Sequence, residues 1–183
     1  MNYGKAAGSI ILAGVFQFLL FLTLAEEIYP SYSVSRNYIS DLGVGRTALI
    51  FNGSIIVLGV LLIASGILLR LALKSTALSV MLILSGVGSA GVGIFPETTG
   101  APHTIFAFIT FLFGSLAAIY CARVVRGPMR VLSPIAGVIS LISLIAFATH
   151  QYWILGPGGM ERLIAYPELW WGLGLGGWVS TKG

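Results

Sequence analysis

Six stretches of the chain, at about residues 6–26, 47–70, 75–95, 103–125, 131–152 and 160–179, are apolar over most of their length. Each approaches the roughly 20 residues that a helix needs to cross the hydrocarbon core of a bilayer. That repetition leaves little freedom of fold, because in hydrocarbon each segment must satisfy its own backbone polar groups, and a helix does so. Only 9% of the 183 residues are charged and 57% are hydrophobic, whereas a soluble globular chain carries about a quarter charged residues. An ordinary cytosolic enzyme, a disordered tail and a nucleic-acid-binding domain are thereby excluded. The expectation is an all-α, polytopic integral membrane bundle of six transmembrane helices, a single transmembrane domain over residues 1–183.

Four of the connections are short and built from charge, proline and glycine: Arg70 to Lys74, Pro96 to Pro102, Arg126 to Arg130, and Gly156 to Gly159. Consecutive helices should therefore be antiparallel neighbours. Only residues 27–46 form a longer loop. Its Tyr32, Val34, Tyr38, Ile39 and Leu42 mix with Ser31, Ser33, Arg36, Asn37 and Asp41, a composition suited to a cap lying at head-group level over the bundle.

The net charge of +4 would suggest a nucleic-acid partner in a soluble protein, but here the cations sit singly at the ends of apolar runs. Alternating the six spans from an inside N-terminus collects Lys5, Arg70, Lys74, Arg123, Arg126, Arg130 and Lys182 on one side, and Arg36, Arg46 and Arg162 on the other. Positive charge marks the cytoplasmic face, which puts both termini inside a cell membrane that the chain crosses several times. Glu26, Glu27, Asp41, Glu97, Glu161 and Glu168 then fall in the outer half. Thr23-Leu24-Ala25 loosely resembles a signal-peptide cleavage site. The apolar run before it is longer than the roughly 7–15 residues of a signal sequence, so an uncleaved first helix is expected.

The 24 glycines read as helix contacts, since helices in lipid associate over small residues. Ser85, Ser89 and Gly93 recur every four positions in the third span, and Gly172 and Gly176 form a GxxxG pair in the sixth. The third span is expected to be a central packing helix. Gln17 and Asn52 are expected to donate hydrogen bonds between helices. Asn52-Gly53-Ser54 matches a glycosylation sequon but lies within a span. Cys121 is alone, with no redox pair and no zinc set, and is read as a packing residue.

Residues capable of chemistry gather in the outer half. His103 and His150 lie at similar depth on neighbouring helices, and His103 shares a stripe with Ala107, Thr110, Gly114, Ala117 and Cys121 that should face inward. The two histidines could be axial haem ligands, part of a metal site with Glu97, Asp41 or Glu161, or an acid–base pair. The plain alternative is an interfacial histidine bonded to a backbone carbonyl or a carboxylate, and bis-histidine haem ligation is expected to fail. Asp41 or Arg36 is expected to pair with Arg162, Glu161 or His103, because charge inside a bilayer is costly unless paired. Glu168, about 12 Å along a helix beginning near Met160, should be protonated or turned inward to a partner such as an arginine, a histidine or a tyrosine, the alternative being a shallower helix in which it reaches the head groups. Pro167 beside it removes an N–H and leaves the carbonyl of Leu163 unpaired.

Three segments taken together carry a likeness: Tyr32-Ser33 leading into Arg36-Asn37-Tyr38-Ile39-Ser40-Asp41-Leu42-Gly43, then Gly93-Ile94-Phe95-Pro96 with His103-Thr104, then Glu161-Arg162-Leu163-Ile164-Ala165-Tyr166-Pro167 before Trp170. Their order resembles the prokaryotic six-helix membrane family known as domain of unknown function 998, over nearly the whole chain. Tyr38 stands where relatives commonly have threonine, and Glu168 where an apolar residue is usual. The resemblance implies a fold and a membrane location and no activity.

The functional expectation is an integral membrane protein that binds a lipid, a quinone-like or another amphipathic ligand, or a membrane-protein partner or second copy of itself. The site would be extracytoplasmic, held by Arg36, Asn37, Asp41, His103, Glu161 and Arg162, with membrane lipids around it and no nucleic acid. No catalytic residue, metal ligand set or cofactor is assigned. The alternative is an extracytoplasmic membrane enzyme, a hydrolase or a haem or metal protein, using His103 with a carboxylate. A transporter comes third, since no inverted repeat is detected.

Overall fold

The computed structural model describes residues 2–182, and each apolar stretch is a helix in it: α1 (Tyr3–Ile28), α2 (Ala48–Leu73), α3 (Thr76–Ile94), α4 (Ala101–Cys121), α5 (Met129–Ala148) and α6 (Gly156–Ser180). Among the described residues there is no strand. The helix ends follow local chemistry. Asn2 caps α1 by accepting from the backbone N–H of Lys5 at 2.9 Å. Lys74 closes α2 in the left-handed region at φ 53°. Pro96 follows the end of α3, and Pro102 occupies the first turn of α4, where its missing N–H costs nothing.

Helices α1 to α5 are long and apolar enough to cross a membrane. The sixth is long enough but falls short in apolarity, because Glu161, Arg162, Glu168, its tryptophans and its glycines dilute it. Large apolar side chains such as Phe16, Leu49, Ile105 and Ile142 point outward, at 66%, 87%, 57% and 58% exposure. Outward-facing apolar surface on this scale suits a lipid environment, and the chain has the helices of a multi-pass membrane protein.

Each helix packs on the next in chain order, and α6 returns to α1, so the six form a closed ring. Small residues set the closest approaches. A Cβ on Gly59 of α2 would stand 2.5 Å from the carbonyl oxygen of Gly86 in α3, and one on Gly86 would stand 2.7 Å from that of Gly59. The ring closes in the same way, with a Cβ on Gly8 of α1 falling 2.5 Å from the Gly176 carbonyl oxygen of α6. The GxxxG pair of α6 is thus a face for α1. The third helix is not central, contrary to the sequence expectation. It is one stave of the wall, and the axis holds a narrow cavity bordered by α1, α2, α3, α4 and α6. Helix α5 stays behind α4 and α6, which also touch each other. Ser85, Ser89 and Gly93 are buried as expected, with Ser85 donating to the carbonyl of Thr110 at 3.1 Å.

Gln17 does bridge helices, donating from α1 to the Ser54 carbonyl of α2 at 2.9 Å. Asn52 instead donates to Gly43 in the long loop at 2.9 Å, because that loop folds back onto the start of α2. Residues 29–47 lie across one end of the ring, hereafter the capped end, with 3-10 turns at Ser40–Gly43 and Gly45–Thr47. Lys5, Arg70, Lys74, Arg123, Arg126, Arg130 and Lys182 belong to the opposite, basic end.

Candidate functional site

Consecutive residues of a helix point about 100° apart, so Glu161 and Arg162 at the start of α6 serve different neighbours. Arg162 turns to the cap. Its Nη1 donates to the carbonyls of Val34, Asn37 and Gly158 at 3.0, 3.3 and 3.0 Å. Its Nη2 meets Glu26 Oε1 of α1 at 2.6 Å and also donates to the Tyr32 hydroxyl. Burial, only partly offset by the guanidinium, pushes the Tyr32 phenol up to about 12. Gly158 completes the contact, donating its N–H to Ser35 at 3.0 Å, and a Cβ there would overlap the Asn37 carbonyl.

This latch corrects the expected pairing. Arg162 takes Glu26 and loop carbonyls rather than Asp41. Asp41 is held within its own turn, where Oδ2 accepts from Asn37 Nδ2 at 2.9 Å and from the Tyr38 N–H at 3.0 Å. Arg36 is exposed and makes no ion pair among the described residues. The cause is local: a carboxylate four residues after an asparagine caps the turn between them before any distant cation can compete.

Glu161 faces the other way. Its Oε2 accepts the Ile39 N–H at 2.6 Å, joining α6 to the cap, and the residue is 7% exposed. It borders two spaces. One is the axial cavity, about 100 Å³, whose lining is mostly apolar and includes Phe18, Phe51, Phe111 and Trp171. The other is a cleft of about 550 Å³ at the capped end, between the cap, α4, α5 and the start of α6. Ser40, His103, Ala107, Phe111 and Glu161 line both, and form the junction between them.

His103 is buried and faces inward, as its stripe requires. Its Nδ1 lies 2.9 Å from the Phe95 carbonyl. A carbonyl only accepts, so Nδ1 carries a proton in this contact. The carbonyl-bonded alternative is therefore the one realised. His150 is exposed at the rim of the cleft, its Nδ1 2.8 Å from the Tyr152 hydroxyl. Its connection is unusual, since His150 and Trp153 both adopt positive φ, at 57° and 44°, a conformation uncommon outside glycine.

The cleft wall carries three further polar groups that shape its chemistry. Glu97, in the turn before α4, is pushed up to about 7, first by burial and then by the neighbouring Asp41 carboxyl. Tyr38 is raised to about 12, chiefly by the neighbouring Tyr152 hydroxyl and then by burial. Tyr38, Phe147 and Tyr152 stack edge to face, with centroids 5.6 Å apart in each step. Such a cleft can accept hydrogen bonds, hold a proton on Glu97 near neutrality and shelter an apolar group. Among the described residues no cluster of three metal-ligating side chains forms.

Glu168 turns inward as expected, but its partners are different. Oε1 accepts from Ser115 Oγ at 2.8 Å and Ser140 Oγ at 2.6 Å, while Oε2 lies against Gly114. No arginine, histidine or tyrosine is needed, because two helices supply hydroxyls. Ser140 also contacts the Ile164 carbonyl at 2.8 Å, beside the turn that Pro167 disrupts. Sequence reading missed Glu26, Tyr32, Ser115 and Ser140. A signal existed for the first: Glu26 ends an apolar helix and needs a counter-charge. For the serines there was none, since hydroxyls on small-residue helices look like packing residues.

The family model described as "Protein of unknown function (DUF998)" matches residues 12–178, from within α1 to within α6. No curated protein and no solved structure matches the chain. The match takes in the cap with its Asn37 turn, the Phe95 to His103 segment and the Glu161-Arg162 pair, and so the chain belongs to the DUF998 family.

Proposed function

We propose that the protein is a single transmembrane domain that crosses the cell membrane six times with both termini in the cytoplasm, and that it binds an amphipathic ligand at its outward, capped end. The observation that carries this reading is the junction at His103 and Glu161, where a polar cleft meets an apolar cavity running along the bundle axis. A ligand with its head in the first and its tail in the second would match both linings. The topology rests on the gathering of seven of the ten Lys and Arg residues at the end opposite the cap. Within the six candidate residues, ligand contact falls to His103 and Glu161. Asn37, Asp41 and Arg162 keep the cap in place, and Arg36 is free for lipid head groups.

Native mass spectrometry on protein extracted with its surrounding lipid tests the reading. A retained small-molecule adduct is expected, lost in Ala107→Trp, which fills the junction. Protein that carries no adduct, or an Ala107→Trp variant that keeps it, would sink the proposal. Topology is read separately with a reporter after Lys74, active only in the cytoplasm, and one at the exposed Ile154, active only outside.

A further inference from the structure

The cleft at the capped end has a floor and a mouth. Its floor is buried and comes from four elements: Ser40 of the cap, His103 of α4, Leu144 of α5, and Glu161 and Ile164 of α6. Thr104 and Phe108 of α4, with Ala148 and His150 at the end of α5, line the same space and are exposed. The opening therefore runs down between α4 and α5, on the side of the bundle. The packing of these two helices accounts for it. A Cβ on Gly137 of α5 would stand 2.5 Å from the Ser115 carbonyl oxygen of α4, so the backbones touch there. Over the next three turns toward the cap, Phe108, Phe111, Leu144 and Phe147 take the place of small residues, and the cleft of about 550 Å³ opens among them.

What the mouth faces is set by its neighbours. Ile105, beside Thr104 on α4, and Ile145, three residues before Ala148 on α5, are exposed without lining the cleft. They belong to the outward apolar surface that suits lipid. Phe108 lies seven residues after the start of α4, about 10 Å down the helix. Helix α4 has 21 residues, and at about 31 Å it just matches the roughly 30 Å hydrocarbon core. The mouth thus reaches to acyl-chain depth. Its upper rim carries Tyr38 and Tyr152, residues of the kind that sit at head-group level.

Resting on the amphipathic-ligand reading above, we infer that the ligand is a lipid of the leaflet at the capped end, and that it enters sideways through the gap between α4 and α5 rather than from water. An acyl chain that slides in from the bilayer exchanges one apolar surrounding for another, so no apolar surface crosses water on the way. The wall it passes is already ordered for it. Thr104, Phe108 and Phe111 follow one another down α4, polar above and apolar below, which is the orientation a lipid has in its own leaflet. The volume of the cleft falls inside the roughly 300–1,000 Å³ of ordinary ligand sites.

The test uses full-length protein in phosphatidylcholine nanodiscs that include a phosphatidylcholine with a diazirine partway along one acyl chain. After irradiation, adducts are mapped by peptide mass spectrometry. Phe111 and Leu144, inside the cleft, should be labelled together with Ile142 on the lipid-facing surface. Thr104→Trp and Ala148→Trp fill the mouth from exposed positions, and each should remove the inner adducts while Ile142 keeps its own. Inner adducts that persist in both variants overturn the lateral entry. Labelling of Ile142 with none at Phe111 or Leu144 overturns it too; if protein extracted with its lipid still retains an adduct that Ala107→Trp removes, the amphipathic site stands. No inner labelling and no retained adduct overturn both.

Discussion

Glu161 and Arg162 are adjacent, both buried, and both tied to the same cap, yet one belongs to a finished structure and the other to an open one. Arg162 spends both Nη atoms on Glu26, Tyr32 and three carbonyls. Glu161 makes one bond to the cap and otherwise faces empty space. The contrast separates two reasons for burying a charge. A side chain that ties several segments of its own protein to one point holds the fold together, even with the Arg162 Nε–H left buried without an acceptor. One with capacity remaining, aimed into a cavity, waits for something else.

The harshest way to break the contrast is to remove the latch. Arg162→Met leaves Glu26 without its cation and the carbonyls of the cap without donors. A loss on the order of 3 kcal/mol is expected, the lower part of the range for breaking a buried pair, because the Glu26 side chain keeps 19% exposure. Thermal unfolding followed by size-exclusion chromatography would register it. Arg162→Lys should recover only part, since an ammonium cannot reach Glu26, Tyr32 and three carbonyls together. An Arg162→Met protein as stable as the parent would show that the cap is held by other contacts.

Glu161→Gln sharpens the contrast from the other side. The amide oxygen still accepts the Ile39 N–H, so stability should change by less than about 1 kcal/mol, while ligand retention falls. Glu168→Gln is the control: its oxygen still accepts from Ser115 and Ser140, so stability should change as little. Its effect on retention should be the smaller of the two, because the carboxyl is already held by two hydroxyls. If Glu161→Gln unfolds the protein as readily as Arg162→Met, the two residues do the same job and the distinction fails.

The smallest effect expected is one of pH. Glu97 is raised to about 7 by burial and by Asp41, with Glu161 and Tyr38 also nearby. A carboxyl raised on folding stabilises while protonated. Its contribution is whole below the unfolded value of 4.5 and is lost as pH rises through about 7. Stability should therefore decline modestly over that interval, and the decline should shrink in Glu97→Gln. A parent and variant with the same slope between pH 5 and 8 would assign the dependence to other groups.

The helices were legible because each apolar run is bounded by residues that cannot continue it, such as Pro96, Pro102 and Gly127-Pro128. Their order around the ring was half legible, since short turns force neighbours to pack but do not say that the last helix returns to the first. What depended on that return was hidden. Glu26 and Arg162 are 136 positions apart, and only the packing of α6 on α1 makes them partners. The candidate residues near the cap were found as types, whereas their division into latch and cleft was not. That division is decided by helix rotation and by the Asn37–Asp41 turn, which removes Asp41 from competition for Arg162.

Ring closure also has a consequence for biogenesis. The cap and Glu26 are synthesised early, but the cation that both need lies in the last helix. Until α6 is made and packed, a carboxylate at the end of α1 has no counter-charge, and the loop carbonyls at Val34 and Asn37 have no guanidinium to bind. A nascent chain halted before Gly156 would therefore expose an unfinished seam between α1 and α5, of the kind that chaperones and membrane proteases act on. Completion of the sixth helix thus supplies both contacts in one step, because the same arginine seals the wall and fastens the lid.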